Sequence, residues 1–403
     1  MSDLRLAWCY LRSRLLVTTL TVASIALGLG LAVIVLLLSN QASDTLSKET
    51  GDWDLVVGAK GSQLQLVLNG IYYLEAPNGY ITTDIQQRLQ QDKRIDTIVP
   101  LTMGDTYYGV PIVGTTPAFL TARQAPFAQG HPFSKPFEAV IGAEAASRFH
   151  ALKLGEKFAG SHGWTRTGSD DVHNDFPYTV VGVLAPTGTS LDRAIYTDFH
   201  STWILHMADT DEKPALGEPP PDHRLTALLV RMVQPIERMQ LQRVINTSWQ
   251  AMAAAPVDEI GGLTKTFIRP VRSILMLVVF MVVLVSALSI LISLYLTIHA
   301  RRRDLAILRS LGATQTDVFR LITLEASTLS GLGVISGWLL GHLLLAAGSP
   351  YCLLHYGVSL NAWQIAPLEL IIAGCVWVLG ICAGLLPAII AYRLPVAETL
   401  IRE

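Results

Sequence analysis

Residues 274–298 read ILMLVVFMVVLVSALSILISLYLTI, a run of 25 positions without a charge in which 17 are Leu, Ile, Val or Phe. A helix of a water-soluble domain hides one apolar stripe, whereas this run is apolar on every side. Crossing about 30 Å of hydrocarbon takes roughly 20 residues in a helix. Its insertion is favourable by roughly 5 to 10 kcal/mol on a per-residue scale. Three more segments meet the length requirement. Residues 15–38 follow Arg14 and end at Ser39, Asn40 and Gln41. Residues 318–345 carry Arg320 and Glu325 early, so their clean apolar part starts at Ala326. Residues 370–392 end at Arg393 and contain Pro387, which neighbouring helices tolerate in a membrane. A 51% apolar share, 15% charged residues and a mean hydropathy of +0.41 agree with a multi-span membrane protein.

Lys and Arg near span ends are retained in the cytoplasm. Arg5, Arg12 and Arg14 precede the first span, Arg301, Arg302, Arg303 and Arg309 lie between the second and third, and Arg393 and Arg402 follow the fourth. Residues 346–369 carry no Lys or Arg. The reading is a multi-pass membrane protein. Its segments 1–14 and 393–403 and its loop 299–317 are cytoplasmic, 346–369 is a short outer loop, and 39–272 is one large extracytoplasmic domain. The first apolar run is too long for a cleaved signal and reads as an anchor. Leu4, Trp8, Leu11 and Leu15, with Arg5 and Arg12 between them, suggest an amphipathic start lying on the inner face. A net charge of −2 argues against a general grip on nucleic acid.

The extracytoplasmic stretch reads as α+β. Short β-branched or alternating runs at Trp53–Val57, Ile95–Val99, Tyr107–Val113, Ala139–Ile141 and Tyr178–Leu184 suggest strands. Helices are expected at Thr82–Gln91, Ala143–His150 and Pro235–Met252, the last as part of a stalk. Asp209–His223 is charged, Pro-rich and loop-like. No cysteine lies between Ser39 and Arg272, so no disulfide supports the domain. Cys9, Cys352, Cys375 and Cys382 read as apolar membrane residues.

Motifs exclude more than they include. Gly58–Ser62, GAKGS, lacks Walker spacing and reads as a turn after a strand. Neither H-E-x-x-H nor G-x-S-x-G occurs, and no nucleophile–base constellation is visible, so no catalytic residue is expected. His162, Asp170, Asp171 and His173 form the one histidine–carboxylate cluster, read as a solvated polar loop with no metal. In the third span Gly333, Gly337 and Gly341 recur every four residues, with Ser330 and Ala326 near the same face, which says close helix packing. Glu325 should turn toward the bundle or toward Arg309 or Arg320, since a carboxylate facing lipid at depth costs about 2.5–3.5 kcal/mol.

Between His299 and Asp317 there is room for a three-turn helix. Leu305, Leu308 and Leu311, with Ile307 beside them, give it an apolar face, Arg302, Asp304 and Arg309 stay polar, and Gly312 closes it. A membrane-surface helix and a docking helix for a partner both fit that pattern. The stretch RRRDLAILRSLGATQTDVFRLITLEA, Arg301–Ala326, resembles the signature of MacB/FtsX-like permeases, the membrane subunits of mechanotransmitting (type VII) ABC transporters. The match covers Asp304, Leu305, Ile307, Leu308, Arg309, Leu311, Gly312, Ala313 and Glu325, and departs at Gln315, Thr316 and Asp317, where basic residues are common. AVIGAEAASRFHALKLGEKF and YTVVGVLAPTGTSLDRAIYTDF are similar to the family's periplasmic core domain.

The resemblance implies a non-catalytic permease of a bacterial inner membrane, with Ser39–Thr50 and Pro235–Arg272 as its stalks, that pairs with a separate cytoplasmic ATPase, which would hold ATP and Mg, and with a second permease copy, the same or a related chain. No cofactor is expected in this chain. Asp304–Ala313 would be the coupling helix, and membrane lipids and a periplasmic or outer-membrane protein are further partners of the family type. Lipoproteins, lipids, peptides, drugs and haem are family-type cargoes. The alternative is an FtsX-like regulatory permease that passes ATPase cycles to a periplasmic partner without transport.

Overall fold

A computed structural model of the chain describes residues 8, 10–149, 152–162, 173–208, 224–356 and 360–393. Two compact units divide it, one formed by residues 1–42 with 267–403 and the other by residues 43–266.

The second unit is built on a mixed sheet. Its strands are β1 (Leu55–Gly58), β2 (Ile81–Thr82), β3 (Ile95–Tyr107), β4 (Val110–Thr115), β5 (Phe127–Gly130), β6 (Glu138–Ile141), β7 (Lys157–Phe158) and β8 (Ser161–His162), followed by β9 (Tyr178–Leu184), β10 (Ile195–Asp198), β11 (Arg224–Leu225), β12 (Ala227–Met232) and β13 (Met252–Ala254). The main order is β13-β1-β12-β3-β4-β10-β6-β9-β5, with β7 on β9 and β8 on β3, while β2 and β11 form a separate pair. Pairing is antiparallel except at β10–β4 and β6–β9. Both faces are covered. Val56 enters one apolar cluster with Trp53, Leu101, Phe119 and Tyr196, while its neighbours Leu55 and Val57 enter another with Leu228, Val230 and Ile245. That alternation is the period-two pleat of a strand buried on both sides.

Several expectations change in detail. The predicted strand Tyr107–Val113 is cut by a two-residue hairpin turn, in which Tyr108 and Gly109 take φ of +48° and +80° and β4 starts only at Val110. The predicted stalk helix Pro235–Met252 is a short helix, Arg238–Ser248, followed by β13, which pairs with β1 at the edge of the sheet. Ala251–Ala255 reads as helical by propensity, but these alanines fill a tight edge position where the ladder overrides that weak preference. Residues 235–255 are therefore part of the sheet domain and not of a stalk. The helix that continues into the second span begins at Pro256, runs to Leu263, and passes through a π turn at Thr264–Ile268 into Arg269–Ala300. The helix at the GAKGS turn starts at Gln63, capped by the Ser62 side chain accepting from the Gln65 amide. Asp209–His223 lies outside the described residues, as do Asp170, Asp171, His150 and Cys9.

Among the described residues, four helices are long and apolar enough to cross a membrane: Leu15–Thr50, Pro256–Ala300, Gln315–Cys352 and Pro367–Tyr392. They are spans 1 to 4. Each outruns its apolar window. Span 1 continues from Leu38 to Thr50 through mostly polar residues, and the helix of span 3 continues through Pro350 to Tyr356, so the expected loop 346–369 is largely helical. Only Leu360 to Ala366 are described as non-helical between the two. Hydropathy marks where a helix enters hydrocarbon and not where it ends. Polar pairs tie the bundle together at residues 40–41: Gln41 donates to the Asn361 carbonyl and accepts from its amide, both at 2.8 Å, and Arg272 donates to Asn40 at 3.2 Å.

Candidate functional site

The loop between spans 2 and 3 is a helix, Arg302–Ser310. Arg301 alone separates it from the second-span helix, and Leu311–Thr314 separate it from the third. Asp304 in the first turn and Arg309 in the last complement the helix dipole. Its apolar residues divide between two directions. Leu305 is buried against Ile298, Val318, Ile322, Ala388 and Ala391, and Ala306 beside it is buried too, so the helix is seated on the base of the bundle. Ile307 and Leu311 face outward with 42% and 82% of their surfaces exposed, beside the exposed Asp304 and the half-buried Leu308 and Arg309. Residues 304, 307, 308 and 311 follow helical i, i+3, i+4, i+7 spacing and share one stripe. Arg302 donates to His299 Nε2 at 2.6 Å.

Gly312 closes the helix with φ of +107°, a region that costs non-glycine residues. The Ala313 amide reaches back to the Leu308 carbonyl at 3.1 Å. The next helix is capped by a reciprocal box. Thr314 donates from its amide and hydroxyl to the Asp317 carboxylate at 2.8 and 2.7 Å, and the Asp317 amide donates to the Thr314 hydroxyl at 3.2 Å. The acidic residue that departs from the family pattern at 317 thus has a local structural use.

Inside the bundle, Gly333, Gly337 and Gly341 all face span 1. A Cβ at Gly337 would lie 2.8 Å from the Ala26 carbonyl oxygen, one at Gly341 3.0 Å from that of Gly30, and one at Gly333 2.6 Å from Ile25 Cβ. Ser330 and Ala326, expected near the same face, instead meet Gly380 and Gly384 of span 4. Span 3 therefore has two small-residue faces, and the glycines of span 4 were missed because Gly380 and Gly384 form only one pair at that spacing. Glu325 is buried. Arg301 is held by Ser13 Oγ at 2.7 Å and stacks over Tyr10 at 4.1 Å, while Arg14 donates to Thr297 at 3.3 Å. A buried pair was not foreseen: His342 Nε2 lies 3.2 Å from Glu369 Oε2, and the other Glu369 oxygen accepts from the Ala366 amide at 3.1 Å. Glu369 was read as a loop residue because hydropathy hides a carboxylate that serves as a capping group.

In the sheet domain, Glu49 is buried near the end of the first helix. It accepts from the Ser190 amide at 2.7 Å, from the Ser190 hydroxyl and from Arg123 Nη2 at 3.3 Å, and Arg123 Nη1 reaches Asp52 at 2.5 Å. The Tyr72 hydroxyl donates to the Leu46 carbonyl of the same helix end. Elsewhere in this unit three histidines surround one carboxylate. Register places Asp105 of β3 directly opposite His162 of β8. The His173 amide donates to the Gly160 carbonyl at 3.0 Å, which returns the chain to that strand, and His206 projects from the helix Phe199–Ala208. Burial, and after it the Asp105 charge, push the Tyr178 hydroxyl well above its ordinary pKa.

A one-plus-three set of membrane-length helices with an α/β domain between the first and second is the architecture of a membrane permease carrying an extracytoplasmic domain. The model of the MacB-like periplasmic core domain matches residues 18–240, and that of the FtsX-like permease C-terminal domain matches residues 276–396. The chain belongs to the MacB/FtsX-like permease family. It is 30% identical over 238 residues to the uncharacterized ABC transporter permease MJ1507 of Methanocaldococcus jannaschii, an overlap of 56% of this chain and 55% of that protein. The chain thus spans about half the length of this curated relative. Among solved structures, the periplasmic region of MacB from Actinobacillus actinomycetemcomitans matches at 10% identity and a TM-score of 0.35, covering 55% of this chain and 98% of that one. The extracellular domain of the transporter YknZ from Gram-positive bacteria matches at 13% identity and a TM-score of 0.31, covering 49% and 98%.

Proposed function

We propose that the chain is the permease subunit of an ABC transporter whose ATPase is a separate cytoplasmic protein. In this reading both termini and the helix Arg302–Ser310 lie in the cytoplasm, and ATP and Mg bind the partner. The observation that carries it is the divided apolar face of that helix: Leu305, with Ala306 buried beside it, anchors it to the bundle while Ile307 and Leu311 stand exposed. An amphipathic helix that only needed to close a loop would leave the second pair polar. Asp304, Ile307, Leu308, Arg309 and Leu311 form the surface that would seat in a groove of the ATPase, with Arg302, Gly312 and Ala313 setting the ends of the helix.

Closure of two ATPase subunits would then move the bases of spans 2 and 3. Helices Leu15–Thr50 and Pro256–Ala300 would carry that displacement to the extracytoplasmic domain of each copy in a homodimer. The cargo class is lipophilic or peptide-like, as for lipoproteins, lipids, peptides, drugs or haem, and it would be moved without passing through the helix bundle. The test is co-purification of the partner ATPase with the full chain. Ile307→Asp with Leu311→Asp should abolish it while leaving the permease folded in detergent. Equal recovery of the ATPase with the variant sinks the assignment. Stimulation of ATPase activity by a candidate cargo supports transport, and stimulation only by a periplasmic protein supports the regulatory alternative.

A further inference from the structure

The three histidines and one aspartate of the sheet domain come from parts of the chain far apart in sequence, and they converge on one point. His162 Nδ1 lies 3.1 Å from Asp105 Oδ1, His173 Nε2 lies 3.9 Å from the same oxygen, and His206 Nε2 lies 3.7 Å from Oδ2. The ligand atoms of Asp105, His162 and His206 all fall within 4.8 Å of one another. The rings of His162 and His173 are 4.3 Å apart, and those of His162 and His206 5.0 Å. Four ligands about 2.0–2.1 Å from a tetrahedral ion are spaced by about 3.3–3.4 Å, close to these separations.

The carboxylate is the second observation. Asp105 is 3% exposed, and its Oδ1 accepts no hydrogen bond among the described residues although an imidazole nitrogen lies 3.1 Å away. A buried carboxylate oxygen left without a donor is costly, and a cation set between the oxygen and the ring nitrogens removes that cost. Imidazole with a single carboxylate suits zinc, nickel, copper or iron and not calcium or magnesium, which want mostly oxygen.

We propose that Asp105, His162 and His206, with His173 as the fourth ligand, form a binding site for a divalent cation of the zinc class in the extracytoplasmic domain. Asp105, His162 and His206 form the compact trio, and His173, 3.9 Å from the same carboxylate, would have to move in to close the coordination sphere and make the site a clamp. The ion would tie β3, β8, the segment at His173 and the helix Phe199–Ala208 to one another. A small cleft lined by Tyr80, Thr102, Met103, Trp203 and Arg224 has His206 in its wall.

The test uses the full chain purified in detergent, stripped with a chelator and dialysed against zinc chloride, with magnesium and calcium chloride as controls. The expected result is one zinc retained per chain, a zinc-dependent rise in the unfolding temperature, and, after loading with cobalt, visible absorption of tetrahedral intensity. His206→Gln and His162→Gln should lose all three while eluting like the metal-free protein, and His173→Gln should weaken zinc retention by about tenfold or more. These partly exposed positions are preferred because Asp105→Asn sits in the core. Failure of the unmodified chain to retain zinc, or unchanged zinc retention and cobalt absorption in the His162 and His206 variants, overturns the proposal.

Discussion

The sheet domain and the helix bundle of this protein both bury apolar residues, such as Val56 and Leu229 in the one and Leu29 and Leu294 in the other, but they differ in what they expose and in what their closest contacts are made of. In the domain, Val56, Leu229, Tyr196 and their neighbours are hidden on both faces of the sheet, and polar groups enter the interior as compensated networks such as Glu49–Arg123–Ser190. In the bundle, large apolar residues such as Leu277, Phe280, Val285 and Leu288 of span 2 point outward, while glycines, Ser330 and the pair His342–Glu369 lie inside. Water drives the first arrangement. Lipid removes that drive between helices, so close backbone approach and interhelical hydrogen bonds hold the second.

The contrast can be broken most directly at Glu49. Removing its carboxylate by Glu49→Ala leaves the buried Arg123 guanidinium with Asp52 as its remaining carboxylate and the Ser190 amide and hydroxyl without their acceptor, and the sheet domain should lose about 3 kcal/mol. Chemical denaturation followed by fluorescence of the domain's tryptophans reads this loss, and a change below about 1 kcal/mol would mean the network is solvated. Gly337→Ala places a methyl 2.8 Å from the Ala26 carbonyl oxygen and should cost about 1–3 kcal/mol of bundle stability, leaving the domain transition unchanged. Heat-induced aggregation of the detergent-solubilised chain compares the two. His342→Ala should cost about 0.6–1.7 kcal/mol, less than Glu49→Ala, because interhelical hydrogen bonds in a membrane return little over their alternatives. A larger loss at His342 than at Glu49 would reverse the comparison. The smallest stability effect, within about 0.5 kcal/mol, belongs to Leu311→Asp, an exposed position whose consequence should appear in ATPase recovery alone.

Local patterns were readable in the sequence and distant ones were not. The four spans, the loop helix and its Gly312 closure depend on residues within a few turns of one another, and hydropathy and capping chemistry expose them. The strands Ala139–Ile141 and Tyr178–Leu184 were visible as β-branched runs, but their parallel pairing depends on register across intervening chain. Pro235–Met252 misled because its amphipathic helix ends at Ser248, and the strand that begins at Met252 continues in alanines that do not advertise one. At the histidine cluster, His162 and His173 stood out together, yet the carboxylate they meet is Asp105 and the third ring is His206, brought in by strand pairing and by the packing of a helix on the sheet. Gly333, Gly337 and Gly341 announced a close contact without naming span 1 as its other side.

The connections of the loop helix set how it can move. One residue, Arg301, precedes it, and the four residues Leu311–Thr314 follow, fastened by Gly312 and by the Thr314–Asp317 box. Such a joint has no slack. In the proposed coupling, a push on Ile307 and Leu311 would pass through so short a connection to the bases of the two adjoining helices. Lengthening this elbow by a few glycines would act as a clutch, leaving the engaging surface intact while letting it slip against the shafts it turns.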